Sequence, residues 1–569
     1  MKAKTKSTAR RLGGIAVAVA LTMSLGATSL VASAENWVTD FDSREEAWNA
    51  AEELNKEIAG EGMVLLKNDG TLPVEKGARV SVLGVAQDNI VETSGSVTES
   101  LKNAGYKVNP TLENFYANDS SAYMSEAELT AAAENSMDLY SDVAVIVIGR
   151  GAAGEARDRQ IDTRYDVNGD AFTLEGEVED EKYLGEDTGW THENHFKEFD
   201  ESGKENEESA VEYKHELQLM HSEEELIKLA KEKCDKIVVL YSSANQFEMG
   251  NLQDDEDINA ILWIGRPGDG GMDAIGEVLN GTINPSGKLV DEWTRDLTND
   301  PTYANIRLTR YSNGTLTEND IFGDLPSQFT YYDYEESIYL GYKYYETYWY
   351  EASQPESQLN PTVSGEAATA DEWYAHNVVY PFGYGLSYTD FSFKLEGITD
   401  NNGEALGATV AAADLSSSAG SPAKIETLTA KVAVTNTGDV AGKEVVQAYV
   451  TMPYTSGETE KAYLNLVGFA KTDTLAPGET QVVEVTFNVQ DFASYDNTDA
   501  DEDGHKGYEL DAGDYTIHFM TSSSHTNFGE DDYASFEFNL AEDANLDLDD
   551  YSGNAIENRF SEENGDYYG

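Results

Sequence analysis

Residues 142–149 read DVAVIVIG, an uninterrupted apolar run with the length of a β-strand. The same kind of run recurs as RVSVLGV at 79–85, KIVVLY at 236–241 and AILWIG at 260–265. Strands that are apolar on both faces belong in sheets covered on both faces, as parallel sheets are covered by helices. Helical patterns separate these runs, among them SEEELIKLAKEK, with a predicted capping box from Ser222 to Glu225. The alternation predicts a layered α/β/α sandwich with a mostly parallel sheet.

A further helix is predicted ahead of the first strand, from Ser43 to Ala59. Ser43 and Glu46 have the spacing of a capping box. The apolar residues of the run recur at helical spacing, which predicts one buried face. That face comprises Ala47, Ala50, Leu54 and Ile58.

The hydrophobic period changes to two after about residue 395. Between 483 and 489, Val, Val, Phe and Val alternate with Glu, Thr and Asn, which is typical of a half-buried strand. Turn signals at 436–438 and 476–478 separate such strands and favour an all-β sandwich.

These patterns divide the chain into four parts. We expect a signal peptide over 1–34, an α/β domain over 35–395, an all-β domain over 396–540 and an acidic tail or linker over 541–569. An acidic stretch at 166–212, poor in aliphatic residues, is predicted to be a surface insertion of the α/β domain.

The chain of 569 residues has 38 Lys and Arg against 106 Asp and Glu, a formal net charge of −68. Such a charge repels phosphates, so nucleic acid is not expected as a partner. The single cysteine, Cys234, excludes an intramolecular disulfide. No C-x-x-C or H-x-x-x-H spacing occurs, so a zinc site is not expected.

One acidic motif is the first half of a calcium loop. Asp499, Asp501 and Asp503 precede Gly504 in the pattern D-x-D-x-D-G. The twelfth position, where such loops carry Glu, is Leu510. An acidic hairpin is therefore favoured over a metal site.

The N-terminus has the pattern of an export signal. Lys and Arg residues precede the apolar stretch IAVAVALTMSLGATSLV, which ends at the small-x-small site Ala32-Ser33-Ala34. We expect a secreted or extracellular protein, cleaved before Glu35. The alternative is a membrane-anchored protein that keeps this segment as an uncleaved anchor.

The string GRGAAGEARDR at 149–159 begins at the end of the apolar run 142–149. Its glycines formally match G-x-G-x-x-G, but a dinucleotide site needs a helix and a second strand that do not follow. No cofactor is expected. The string instead places a carboxylate, Glu155, on a glycine-rich loop at the C-terminal end of a parallel strand, where open α/β sheets position functional residues.

Several longer motifs together resemble one enzyme family. They are GMVLLKNDGTLP at 62–73, IGRGAAGEARDR at 148–159, GRPGDGGMDAIGEVLNGTINPSGKL at 265–289, YEESIYLGYKYYET at 334–347, YPFGYGLSYTDF at 380–391 and VTNTGDVAGKEVVQAYV in the β domain. In this order they resemble the C-terminal α/β-sandwich domain of glycoside hydrolase family 3, the β-glucosidase family, followed by its fibronectin type III-like domain.

This resemblance implies retaining hydrolysis of an O-glycosidic bond by two carboxyl groups. It implies that Glu155 is the acid/base, although Ala153 and Ala156 replace two of the small residues in the family's S-G-E-G-like segment. Asp158 and Arg159 match the D-R pair that follows the acid/base, and are assigned to support of the loop.

The family's nucleophile is an Asp on a (β/α)8 barrel, which needs about 250 residues. No stretch here matches that barrel, so no nucleophile is expected in this chain. The domain order resembles the permuted arrangement of the family, with the barrel last. The resemblance therefore predicts a chain that acts on a β-linked glucoside or oligosaccharide and is inactive without a barrel, which a second chain would bring. The alternative is a non-catalytic extracellular carbohydrate-binding or adhesion protein.

Overall fold

The computed structural model describes residues 41–87, 95–117, 129–150, 217–219, 221–268, 270–302, 309–315, 328–331, 334, 336–418, 420–496 and 504–556. The predicted signal peptide and the acidic stretch at 166–212 lie outside these residues.

The first domain alternates helices and strands. Its helices are α1 (Arg44–Gly62), α2 (Val97–Asn103), α3 (Pro110–Tyr116), α4 (Ala131–Met137), α5 (His221–Lys233), α6 (Gly250–Asp254), α7 (Asp273–Leu279), α8 (Tyr342–Ser353) and α9 (Ala370–Asn377). Its strands are β1 (Val64–Asn68), β2 (Arg79–Leu83), β3 (Lys107–Val108), β4 (Val143–Gly149), β5 (Ile237–Ser242), β6 (Ala260–Trp263), β7 (Trp293–Thr294), β8 (Thr309–Thr315), β9 (Gln328–Tyr331), β10 (Thr362–Val363), β11 (Glu366–Ala367) and β12 (Val378–Tyr380).

Six of these strands form the central sheet of the described residues, in the order β1-β6-β5-β4-β2-β3. The pairs from β6 to β3 are parallel, and β1 joins the edge antiparallel to β6. The predicted mostly parallel α/β sheet is therefore confirmed.

The surroundings of β4 explain why its sequence is apolar throughout. Val143, Val145 and Val147 pack in the core on one face of the sheet, with residues of α2 and α7. Ala144, Ile146 and Ile148 pack in the core on the other face, with residues of α3, α4 and α5. Because both faces are covered, every side chain of the strand is buried and none needs to be polar.

The predicted helix caps are partly wrong. Ser43 caps α1 by accepting the backbone N–H of Glu46 at 3.1 Å, but the Glu46 carboxylate accepts from Asp42 rather than closing the box on Ser43. Ile58 was expected on the buried face and is 60% exposed. The helix α5 begins at His221, so Ser222 lies inside its first turn and is not its N-cap.

The second domain is built from strands, as predicted. Its elements are β13 (Phe391–Asp400), β14 (Thr409–Val410), α10 (Ala412–Leu415), β15 (Thr427–Asn436), β16 (Val445–Thr451), β17 (Asn465–Lys471), β18 (Thr480–Asn488), β19 (Ser494–Asp496), β20 (Gly507–Leu510), β21 (Gly513–Met520), β22 (Ala534–Leu540) and β23 (Ala544–Leu546). The sheet β13-β15-β18 and the sheet β14-β22-β21-β16-β17 enclose one core. The alternating apolar residues of β18 point into it, and their polar neighbours face outward.

The structure places both ends of this domain differently from the sequence pattern. Its first strand starts at Phe391, inside the range assigned to the α/β domain. At the other end, β23 pairs with β20 and Leu546 lies in the core, so this part of the predicted acidic tail belongs to the folded domain.

Within the described residues, no helix has the combined length and apolar character needed to cross a bilayer.

Candidate active site

The C-terminal ends of the parallel strands meet at one edge of the sheet. From β2 the chain passes to β3 on one side and then to β4 on the other side. Neighbouring connections leave the sheet in opposite directions at such a switch point, which opens a crevice where α/β proteins bind ligands. The end of β4 and Arg150, which precede Glu155 in the sequence, lie beside this crevice.

The ends of β2 and β4 approach each other closely at the crevice. Gly84, directly after β2, has a φ of +103°, and a Cβ there would lie 2.3 Å from the carbonyl oxygen of Val147. Only glycine fits this position. Three residues later Gln87 is 1% exposed, and its side-chain oxygen accepts a hydrogen bond from Thr98 at 2.7 Å.

Two donors at this edge have no hydrogen-bond acceptor among the described residues. They are Nε2 of Gln87 after β2 and Nη2 of Arg266 after β6. A buried donor without a partner costs free energy unless another group satisfies it. These two donors can therefore bind oxygen atoms of a neighbouring segment or of a ligand.

Arg150 is the last described residue before the segment with Glu155, and it is 1% exposed. Its guanidinium donates to both carboxylate oxygens of Glu223 on α5, at 2.6 and 2.7 Å. It also donates to the carbonyl of Gln218 at 2.8 Å and lies over the ring of Phe247, 4.9 Å from its centroid. Two parallel bonds to one carboxylate fix the orientation of the guanidinium as well as its position.

These contacts tie together residues on both sides of 151–216. Arg150 precedes that range and Gln218 follows it. The side chain of Gln218 in turn donates to Glu248 at 2.7 Å, and Glu248 accepts the backbone N–H of Leu297 at 2.8 Å. The points where the chain leaves and re-enters this part of the fold are therefore held by a buried ion pair and its hydrogen bonds.

The residues predicted from the sequence as site residues are outside the described part of the chain. This holds for Glu155, Asp158 and Arg159, and also for Asp499, Asp501 and Asp503. Their roles stay predictions. The described residues contain no group of three or more His, Cys, Asp or Glu side chains that could hold a metal ion.

The Arg150–Glu223 pair was not predicted from the sequence. A signal for it existed, because Arg150 is a charged residue at the end of a strand that is otherwise entirely apolar. Buried arginines are nearly always paired. The identity of the partner, 73 positions away, could not be read from the spacing.

Comparison with known proteins assigns the two domains. The model of the glycosyl hydrolase family 3 C-terminal domain matches residues 183–342. The model of a fibronectin type III-like domain matches residues 444–523. Residues 183–342 of the chain therefore resemble the C-terminal domain of glycosyl hydrolase family 3. The expected family and its domain order, an α/β domain before a fibronectin III-like domain, are confirmed.

Proteins similar to this chain include two from bacteria. Beta-glucosidase A of Butyrivibrio fibrisolvens is 29% identical over 483 residues, which cover 83% of this chain and 49% of that protein. The beta-glucosidase of Ruminococcus albus is 25% identical over 503 residues, covering 83% of this chain and 39% of that protein. The chain thus spans about half or less of the length of these relatives.

Solved structures share the fold. A beta-glucosidase from Paenibacillus barengoltzii has a TM-score of 0.56 and 24% identity, with 87% of this chain and 44% of that chain covered. Beta-glucosidase 3B from Thermotoga neapolitana has a TM-score of 0.56 and 22% identity, with 88% and 55% covered. At these identities the likeness supports the architecture of both domains and carries no residue roles.

Proposed function

We propose that this polypeptide supplies the acid/base side of a retaining β-glucosidase active site, with Glu155 as the proton donor. In this mechanism one carboxylate attacks the anomeric carbon while the acid protonates the departing oxygen. The same group, now deprotonated, then acts as a base and activates water. The attacking carboxylate belongs to a (β/α)8 barrel, and the chain described here does not turn over substrate without one.

The position of β4 and Arg150, which directly precede the segment of sequence that carries Glu155, is the observation on which the proposal rests. β4 ends beside the crevice where the strand order reverses, and Arg150 is held there by the Glu223 carboxylate. A retaining pair needs its two carboxyl groups about 5 to 5.5 Å apart. Catalytic geometry of that precision requires support from fixed side chains, and the Arg150–Glu223 pair provides such support directly before the segment of sequence that carries Glu155.

The names of the relatives support the substrate class that we propose. They are named beta-glucosidases, and the Thermotoga neapolitana enzyme was solved in complex with alpha-D-glucose. For this chain we propose a β-linked glucoside or oligosaccharide. The mechanism uses carboxyl groups and water alone, so it requires no cofactor.

Complementation tests the proposal. The full chain is mixed with a separately produced (β/α)8 barrel of the family, and hydrolysis of an aryl β-glucoside is followed. We expect no turnover with either part alone and turnover with both. Substantial hydrolysis by the chain alone would contradict the proposal. A chain that binds oligosaccharide but never supports turnover with any barrel would favour the non-catalytic carbohydrate-binding alternative.

We further propose that the chain is exported and cleaved after Ala34. The basic start, the apolar stretch and the small-x-small site support this. The protein is expressed in a bacterial host, and the N-terminus of the protein in the medium is sequenced. We expect Glu35 as the first residue. Retention in the membrane fraction with an intact N-terminus would instead show the anchored form.

A further inference from the structure

The two domains meet in a packed junction, which we define by β7, residues 381–384, α8 and α9 on one side and by β16 and residues 522–528 on the other. Backbone and side-chain hydrogen bonds cross it. Gln447 donates to the carbonyl of Gly383 at 3.0 Å, and the N–H of Ser523 donates to the carbonyl of Phe382 at 2.8 Å. Tyr342 packs on the ring of Phe382, with centroids 4.9 Å apart.

Two carboxylates are buried in this junction. Glu292, next to β7, is 2% exposed, and Glu346 on α8 is 0% exposed. Oε2 of Glu346 accepts from the His525 ring at 3.0 Å and from the His525 backbone N–H at 3.3 Å. The His525 ring is itself stacked on Trp349, with centroids 3.5 Å apart. Glu346 is thus held by one imidazole from the opposite domain.

Glu292 has no such partner. Neither of its oxygens has a well-aligned hydrogen-bond donor, and among the described residues it makes no ion pair with Lys or Arg. Buried polar atoms without a well-aligned partner also include Oε1 of Glu346 and four hydroxyls of the junction. These hydroxyls belong to Thr294, Tyr345, Tyr374 and Ser523.

The groups that act on Glu292 come from both sides of the junction. Glu346 of α8, the adjacent Asp291 and Asp300 are acids, and the Phe382 backbone amide favours the anion. The phenols of Tyr342, Tyr345, Tyr374 and Tyr449 are also within its electrostatic reach. None of these groups is a cation, and a lone buried charge costs several kcal/mol.

We propose that Glu292 is buried as the neutral carboxylic acid, and that its ionisation loosens the junction between the α/β domain and the fibronectin III-like domain. Protonation removes the charge of the Glu292 carboxylate, which no Lys or Arg of the described residues neutralises. In agreement, burial and the charge of Glu346 raise the pKa of Glu292 well above 4.5. Burial likewise raises the pKa of Glu346, which the bonds from His525 partly offset. This inference stands independently of the proposed function.

The sign of the pH dependence follows directly. In the unfolded chain Glu292 releases its proton near its ordinary pKa of 4.5, whereas in the folded protein it keeps the proton to higher pH. Above that value the folded state therefore binds one more proton than the unfolded state. Stability falls with rising pH from about 4.5 up to the raised pKa, by about tenfold in the unfolding constant for each pH unit.

The test compares urea unfolding of the wild type and Glu292→Gln across this range. Gln has the same shape and stays neutral, so we expect the variant to lack the one-proton slope and to be the more stable protein at alkaline pH. The control is Glu484→Gln. The Glu484 side chain pairs with Lys431 on the surface and is 60% exposed, so we expect this variant to keep the wild-type slope. Equal slopes for the wild type and Glu292→Gln overturn the proposal.

Two further measurements keep the proposal testable if Glu292→Gln does not fold. Infrared spectra of the wild type at neutral pH are expected to show the carbonyl stretch of a buried protonated carboxylic acid, and its absence overturns the proposal. Amide exchange of residues 522–528 is expected to quicken as pH rises, beyond the intrinsic base dependence of exchange.

Discussion

Glu155→Gln is expected to lower turnover of an aryl β-glucoside about a hundred- to ten-thousandfold in the barrel-complemented protein. The amide keeps the shape of the side chain and cannot give a proton to the departing oxygen. The loss is expected to be smallest for substrates whose leaving group is already a weak base, because such a group departs without full protonation. The measurement is kcat and KM for a series of aryl glucosides of graded leaving-group acidity.

A matched control distinguishes this effect from a change of local charge. Glu175→Gln removes one negative charge from the nearby acidic stretch at 166–212 and is expected to leave kcat within about twofold of the wild type. An unimpaired Glu155→Gln enzyme would refute the acid/base assignment. A uniform loss for all leaving groups would point to a structural role of Glu155 in the loop.

Arg150→Met is expected to destabilise the protein by about 3 to 5 kcal/mol. The substitution leaves the Glu223 carboxylate, which is 6% exposed, without its bidentate partner. The free energy of unfolding in urea measures the loss. Replacing both partners, as Arg150→Met with Glu223→Leu, is expected to recover part of it, since no unpaired charge then stays buried.

The control for this prediction lies on the same helix. Lys228 pairs with Glu225 on the surface of α5, with side chains 66% and 55% exposed, and Lys228→Met is expected to change stability by less than about 1 kcal/mol. A loss for Arg150→Met as small as that of the surface pair would show that the clamp does not hold the base of the loop.

The central sheet could be predicted because its residues carry an unambiguous physical signal. In β4 each residue faces one of two covered layers, so the apolar run is continuous, and β5 and β6 show the same pattern. In β18 one face meets the core and the other meets water, so the pattern alternates. Both signals are local, and both led to the correct type of layer.

The features that were not predicted depend on contacts between distant residues. The antiparallel pairing of β1 with β6 is set by which sheet edge was open, not by the residues of β1. The exposure of Ile58 depends on how α1 lies on the domain. Glu292 and Glu346 are buried at the junction with the second domain. From its own segment of sequence, either carboxylate would be predicted to be a solvated surface acid.

Covalent labelling tests the division of the active site between two parts most directly. The chain, alone and after complementation with the barrel, is treated with a mechanism-based fluorosugar that traps the glycosyl-enzyme intermediate, and the labelled peptide is identified by mass spectrometry. We predict that the sugar is found on a barrel carboxylate of the complemented enzyme and that the chain alone is unlabelled. A sugar covalently attached to any side chain of this polypeptide by itself would contradict the account.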